Sequence, residues 1–167
     1  MVHIILIGMM GSGKTTIGRI LSQMTGRIFI DTDQLIEKKL SMSVYDIITN
    51  KGEDFFRKEE RDIILSISPS SASVIATGGG AVMNDEVFIY LKQIGRLVYL
   101  KATPMVLYKR TANVNTRPLL KGEDRLNTIH KLLEAREPRY LKADIIVDTD
   151  NSSPTQVAEE IIKRLTV

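Results

Sequence analysis

Apolar residues along this chain fall into short continuous runs, with longer stretches of mixed character between them. The runs are His3–Ile7, Ile28–Ile30, Ser73–Ala76, Arg96–Leu100 and Asp144–Asp148. Apolar residues in them are continuous rather than alternating with polar ones, which predicts strands buried on both faces. Between the runs, apolar positions recur at helical spacing. Ile17, Ile20, Leu21 and Met24 share one face of a helix over Thr15–Met24, and similar patterns cover Asn84–Gln93, Thr128–Arg136 and Thr155–Leu165. Ser153-Pro154 supplies an N-cap and a first-turn proline for the last of these. Strands alternating with helices predict an α/β fold of three layers, α/β/α, around a five-stranded parallel sheet with right-handed crossovers.

Two regions depart from a plain strand–helix alternation. The stretch 33–72 holds three helical segments and a turn at Lys51-Gly52, and reads as a helical insertion. Asn113–Asp124 is polar, weakly periodic and contains Gly and Pro, and reads as a mobile lid. The expected organisation is one domain with its core in 1–32, 73–112 and 125–167. The length of 167 residues suits that reading, and 43% hydrophobic with 26% charged residues excludes general disorder. Lys and Arg exceed Asp and Glu by a net charge of only +3, too little to indicate a nucleic-acid partner. With no Cys, disulfides, thiolate zinc sites and thiol nucleophiles are excluded. No apolar run is long enough to span a bilayer, and Met1–Ile7 lacks the basic start of a signal peptide, so a soluble cytoplasmic protein is expected.

Chemistry concentrates first at Gly8-Met9-Met10-Gly11-Ser12-Gly13-Lys14-Thr15, which matches G-x-x-x-x-G-K-[ST] in full. The glycines let successive N–H groups converge on phosphate oxygens, Lys14 suits the β and γ phosphates, and the Thr15 hydroxyl suits Mg²⁺. A strand before the loop and a helix after it provide the context this motif requires, with the helix N-terminus presented to the anion.

Asp31-Thr32-Asp33 ends the second predicted strand, where ligands bind in open parallel sheets. If the chain stays extended, Asp31 and Asp33 share one side; one then suits Mg²⁺ and the other an acceptor hydroxyl. Asp33 also fits an N-cap for a helix over Gln34–Leu40. Gly52–Arg61 is a charged helical start in which Arg57 and Glu60 pair at i,i+3, either as a solvated face or as part of a site. Thr77-Gly78-Gly79-Gly80 follows the third strand, as a flexible turn or as backbone closely approaching a ligand. Arg110 and Arg117 flank the polar loop, and Arg136 closes a helical stretch before Pro138.

Taken in order, these motifs resemble the shikimate kinase family of small P-loop kinases. The resemblance runs through Gly8–Thr15 with Thr16 and Gly18, Asp31-Thr32-Asp33, Gly52-Glu53 to Glu60, Gly78-Gly79-Gly80, Arg117-Pro118-Leu119-Leu120 and Arg136 before Pro138-Arg139-Tyr140. It implies a P-loop NTPase fold and transfer of phosphate from ATP to the 3-hydroxyl of shikimate, on the route to chorismate and the aromatic amino acids. It implies nucleotide contacts at Gly11, Ser12, Gly13, Lys14, Thr15 and Thr16, with Arg110 and Pro154 sandwiching adenine. Shikimate contacts fall on Asp33, Arg57, Gly79, Gly80 and Arg136, the Mg²⁺ side on Thr15 and Asp31, and the lid arginine on Arg117. Lys14, Asp33 and Arg117 are the implied catalytic residues, and a monomer is expected. The sequence departs from the family at Ile48, where an aromatic residue is common, and at Ser152-Ser153, a less basic adenine rim. Physical chemistry agrees: Arg57 and Arg136 suit a carboxylate, and Asp33 suits a hydroxyl, either taking its proton or orienting it. A related kinase for gluconate or a nucleoside monophosphate would share the phosphate machinery but need another acceptor pocket. A switch GTPase would need D-x-x-G, which the chain lacks.

Overall fold

The computed structural model describes residues 2–112 and 124–166. One five-stranded sheet contains β1 (His3–Ile7), β2 (Ile28–Asp31), β3 (Ser73–Ala76), β4 (Gly95–Lys101) and β5 (Ile145–Asp148), in the order β2-β3-β1-β4-β5. Every neighbouring pair is parallel, and the central β1 sets Ile5 beside Ile75 on one flank and Leu97 on the other. Each predicted run forms a strand, and each boundary lies within one residue of expectation.

Continuous apolar runs are explained by the two cores they feed. Ile5, Ile7, Ile75, Leu97 and Tyr99 pack with α5 (Asp85–Ile94) and α7 (Arg125–Tyr140) on one face of the sheet. Their neighbours Ile4, Leu6, Val74, Val98 and Leu100 pack with α1 (Lys14–Thr25) and α8 (Pro154–Leu165) on the other. Residues Ile4–Ile7 are at most 2% exposed. Each contributes about 1.5–3 kcal/mol of transfer free energy, so a polar residue at any of them would damage one core or the other.

Between β2 and β3 lie the three expected helices, α2 (Thr32–Leu40), α3 (Val44–Lys51) and α4 (Glu53–Leu65). They enclose a small core of their own around Ile36, Ile47 and Phe56. An ion pair of 2.6 Å between Lys39 and Glu59 links α2 to α4. The capping predicted for α8 is present in full, with Ser153 and Gln156 forming a reciprocal box ahead of Pro154.

Two helices differ from the sequence reading. A short helix, α6 (Pro104–Thr111), was not expected; only Leu107 and Thr111 are buried in it, too sparse a pattern to register as periodic. The other, α7, continues through Pro138 to Tyr140 instead of ending at Arg136. Proline removes one helical N–H, but Tyr140 is fully buried and the next amide, Leu141, bonds Glu137 at 2.9 Å. Tertiary burial outweighs the local break. Of the loop expected over 113–124, residues 113–123, with Arg117, lie outside the described residues. Asp124 caps α7 through Asn127 N at 3.2 Å. Among the described residues no helix is long and apolar enough to cross a membrane.

Candidate active site

The carboxyl end of the sheet carries two adjoining cavities. The first forms where β1 turns into α1. Gly13 holds φ 96°, a left-handed conformation that favours glycine, and thereby turns the loop into the first turn of α1. Gly11, Ser12, Gly13, Lys14, Thr15 and Thr16 line a cavity of about 460 Å³. Lys14 Nζ donates to the carbonyls of Gly8 at 2.8 Å and Met9 at 2.9 Å, so its side chain arches back over the loop. Ser12 Oγ is buried in the same wall without a hydrogen-bond partner.

The far wall of this cavity comes from distant segments. Arg110, on α6, donates to Thr149 Oγ1 at 3.0 Å and to Thr149 O at 2.6 Å, which holds the guanidinium beside Ser152 and Pro154 at the start of α8. Arg110 and Pro154 are therefore brought together, as expected. Thr149 was not singled out, and nothing in its local sequence marks it.

Asp31 and Asp33 do not share one extended side. The strand ends at Asp31 and α2 begins at Thr32, so the cap is Asp31, whose Oδ1 accepts from Asp33 N at 3.1 Å and Gln34 N at 3.3 Å. The capping role considered for Asp33 thus belongs to Asp31. The other Asp31 oxygen, Oδ2, accepts from Thr15 Oγ1 at 2.9 Å, which sets two hard oxygens beside the phosphate loop.

Asp33, one helical residue further on, faces the second cavity. This cleft of about 350 Å³ is lined by Asp33, Arg57, Gly78–Gly80 and Arg136, with Ile48 and Phe56 among its apolar wall. It shares Met10, Asp33 and Gly79 with the first cavity. The glycine triplet is a close approach of backbone to charge. A Cβ on Gly80 would lie 2.5 Å from an Arg57 nitrogen, and one on Gly78 would lie 2.1 Å from Glu60 Oε1 and 3.0 Å from Asp33 Oδ1. No side chain larger than hydrogen fits at either position without displacing a charged group.

Arg57 is not part of a solvated face. It bonds Glu60 at 2.8 Å and Glu53 at 3.1 Å, and Glu60 is only 2% exposed. Arg136 is also buried, with a 4.0 Å contact from its guanidinium to Met9 Sδ. Asp33 Oδ1 and Glu60 Oε1 are both buried without hydrogen-bond partners and converge on the space above Gly78. Burial, followed by repulsion from Glu60 and Asp31, pushes the Asp33 carboxyl up to about 7, although Lys14 and Arg57 pull it down. Burial likewise raises Glu60, against the opposing pull of Arg57 and Arg136. The cleft therefore presents two cationic side chains for a small anion and a carboxyl poised near neutrality at the boundary with the phosphate cavity. Glu60 and Tyr140 entered the sequence reading as a partner of Arg57 and as motif residues, with no role of their own at the site; Tyr140, which donates to Gly79 O, lay beyond the helix end that Pro138 suggested.

Comparison with known proteins is consistent along nearly the whole chain. The family model for shikimate kinase matches residues 10–166. A shikimate kinase from Thermodesulfovibrio yellowstonii is 42% identical over 163 residues, covering 98% of this chain and 94% of the relative. One from Nitrosococcus oceani is 43% identical over 164 residues, covering 98% and 86%. The solved structure of shikimate kinase from Acinetobacter baumannii in complex with shikimate superposes with a TM-score of 0.96 at 34% identity, covering 99% of this chain and 93% of that one. A gluconokinase from Sinorhizobium meliloti, at 17% identity and a TM-score of 0.63 over 98% and 93% of the two chains, shares the fold alone.

Proposed function

The chain belongs to the shikimate kinase family, and on that premise we propose how its two adjoining cavities divide one reaction between them. The enzyme transfers the γ-phosphoryl group of ATP to the 3-hydroxyl of shikimate, a step in chorismate and aromatic amino acid biosynthesis. ATP occupies the cavity of the phosphate loop, with its phosphates against Gly11–Thr16 and its adenine between Arg110 and Pro154. Shikimate occupies the adjoining cleft, with its carboxylate held by Arg57 and Arg136 and its ring against Gly79 and Gly80. The observation that carries this division is the shared wall: Asp33 and Gly79 line both cavities, so a hydroxyl in one meets a phosphate in the other there.

In the transfer, the shikimate oxygen forms a bond to the γ-phosphorus as the bond from phosphorus to the ADP oxygen breaks. Asp33, as the carboxylate, accepts the hydroxyl proton. Its pKa near 7 suits that role, because a base works best when its pKa lies near the working pH. Lys14 supplies positive charge to the phosphates, and positioning with charge neutralisation does most of the work in such reactions. Thr15 Oγ1 and Asp31 Oδ2, 2.9 Å apart, fit Mg²⁺, which takes few protein oxygens and completes its shell with waters and substrate phosphates. Bound there, Mg²⁺ would neutralise phosphate charge as it develops.

The test is ADP release from ATP and Mg²⁺ by the purified chain. Shikimate should accelerate it by at least about a hundredfold, while gluconate and nucleoside monophosphates should leave it at the background rate. Stimulation by one of those in place of shikimate would reassign the acceptor.

A further inference from the structure

We propose that Tyr140 is a positioning residue for shikimate binding: its hydroxyl ties the carbonyl of Gly79 to the side chain of Arg136 and so fixes two parts of the cleft that come from distant segments. The proposal rests on the assignment of that cleft to shikimate.

Tyr140 closes the last turn of α7 and is fully buried, with its ring 5.0 Å from that of Tyr99 at an interplanar angle of 31°. Packing alone would be served by phenylalanine, and a buried hydroxyl is costly unless it is used. Here it is used, and a charged neighbour lies beside it. The O–H donates to Gly79 O, across 61 residues of sequence. The oxygen also faces Arg136, whose charge and hydrogen bonding pull the phenol pKa down against a burial effect that still holds it at about 12. A phenol has one proton to give and lone pairs to receive, so the two contacts do not compete.

Geometry explains why this residue is the one used. Arg136 and Tyr140 are four apart and share a helix face only because α7 continues through Pro138. On that face Arg136 is packed from three sides. Met9 Sδ is 4.0 Å from its guanidinium, a Cβ on Gly79 would lie 3.4 Å away, and Tyr140 is one turn below. An arginine held in place before its anion arrives loses less freedom on binding than a mobile one. Removing the hydroxyl releases the guanidinium and the Gly79 carbonyl together, while the phosphate loop keeps its own contacts.

The experiment is Y140F, compared with Y99F, which trims the other ring of the stack at a hydroxyl that bonds Glu137 at 3.3 Å. Y140F should raise the KM and the directly titrated Kd for shikimate about 5- to 20-fold, with the KM for ATP unchanged within about twofold and kcat within about threefold. Y99F should leave both KM values unchanged. In an R136A background, adding Y140F should weaken shikimate binding by clearly less than it does in the wild-type background, because only the tie to Gly79 is left to lose. Unchanged shikimate affinity in Y140F, equal losses for ATP and shikimate, or the same loss with and without Arg136 would each overturn the proposal. So would a Y140F chain that no longer unfolds cooperatively, since the hydroxyl would then serve the fold. A wild-type enzyme that fails to bind shikimate would sink the assignment of the cleft instead.

Discussion

The two cavities lie side by side at the carboxyl end of the sheet and are made of different materials. Half of the residues that line the phosphate cavity form one unbroken stretch of chain, Met10–Ile17, in which backbone conformation and the start of a helix do the work. The acceptor cleft has no such stretch. Its charged groups come from α2, α4 and α7 and surround the glycines after β3: Arg57 is held by Glu53 and Glu60, Arg136 lies beside Tyr140, and Asp33 is set against Glu60 over Gly78. In the proposed division, the first site recognises a shape that many phosphates share. The second recognises one arrangement of charge, and the cost of assembling it appears as a carboxyl shifted to about 7.

If that contrast is right, damage to either side should stay on that side. The largest effect is expected for Lys14→Ala. Removing its charge from the phosphates should lower kcat by roughly two to three orders of magnitude, while the Kd for shikimate should stay within about threefold. Lys14 is only partly buried and its contacts are with the loop, so the fold should survive. Near-normal turnover in the folded variant would remove the phosphate loop from the mechanism.

Next is Asp33→Asn, which should lower kcat about a hundredfold by removing the proton acceptor. The same change should stabilise the free protein. In the unfolded chain this carboxyl ionises near 3.8, and in the folded one near 7. Between those values the folded state holds a proton that the unfolded state has released, so wild-type stability falls as pH rises from about 4 to about 7 and then levels off. The Tm advantage of Asp33→Asn should therefore be larger at pH 8 than at pH 5, reaching roughly 3–8 °C. Thermal unfolding at the two pH values checks this, and an advantage that shrinks as pH rises would contradict the buried-carboxyl account.

The smallest effect is expected at the adenine end. Arg110 is held by two bonds to Thr149 and, in the proposed placement of ATP, offers adenine only a flat face. Arg110→Ala should raise the KM for ATP about fivefold and leave the KM for shikimate unchanged. A shift in both would mean that the two cavities are more tightly coupled than their construction suggests.

The same contrast governs what the sequence reveals. The strands were legible because a sheet covered on both faces keeps Ile4–Ile7, Val74–Ala76 and Leu97–Leu100 apolar on both sides, and the phosphate loop because all its parts are adjacent. Asp33, Arg57, Gly79, Gly80 and Arg136 were reached from family resemblance and from residue chemistry, and the fold brings them into one cleft. Their supports were not legible. Whether Asp31 or Asp33 caps α2 depends on where the extended chain stops, a matter of two residues. Tyr140 is invisible to local rules, because Pro138 argues for a helix end and only burial against Tyr99 overrules it. Thr149 acts through its position beside Arg110, and no spacing encodes that.

The central claim, that the cleft recognises shikimate through buried charge independently of the nucleotide cavity, is tested most directly at Arg136. Its guanidinium is buried in the cleft wall and contacts the phosphate loop through Met9 Sδ, while the Lys14 bonds to Gly8 and Met9 are made without it. Titration calorimetry on wild type and Arg136→Ala, with shikimate and separately with a non-hydrolysable ATP analogue, gives four dissociation constants. The account predicts that shikimate binding weakens about thirtyfold or more, the cost of losing a charged hydrogen-bond partner of a desolvated carboxylate, while the ATP analogue binds within about twofold of wild type. Equal weakening of both ligands, or undiminished shikimate binding, would contradict it.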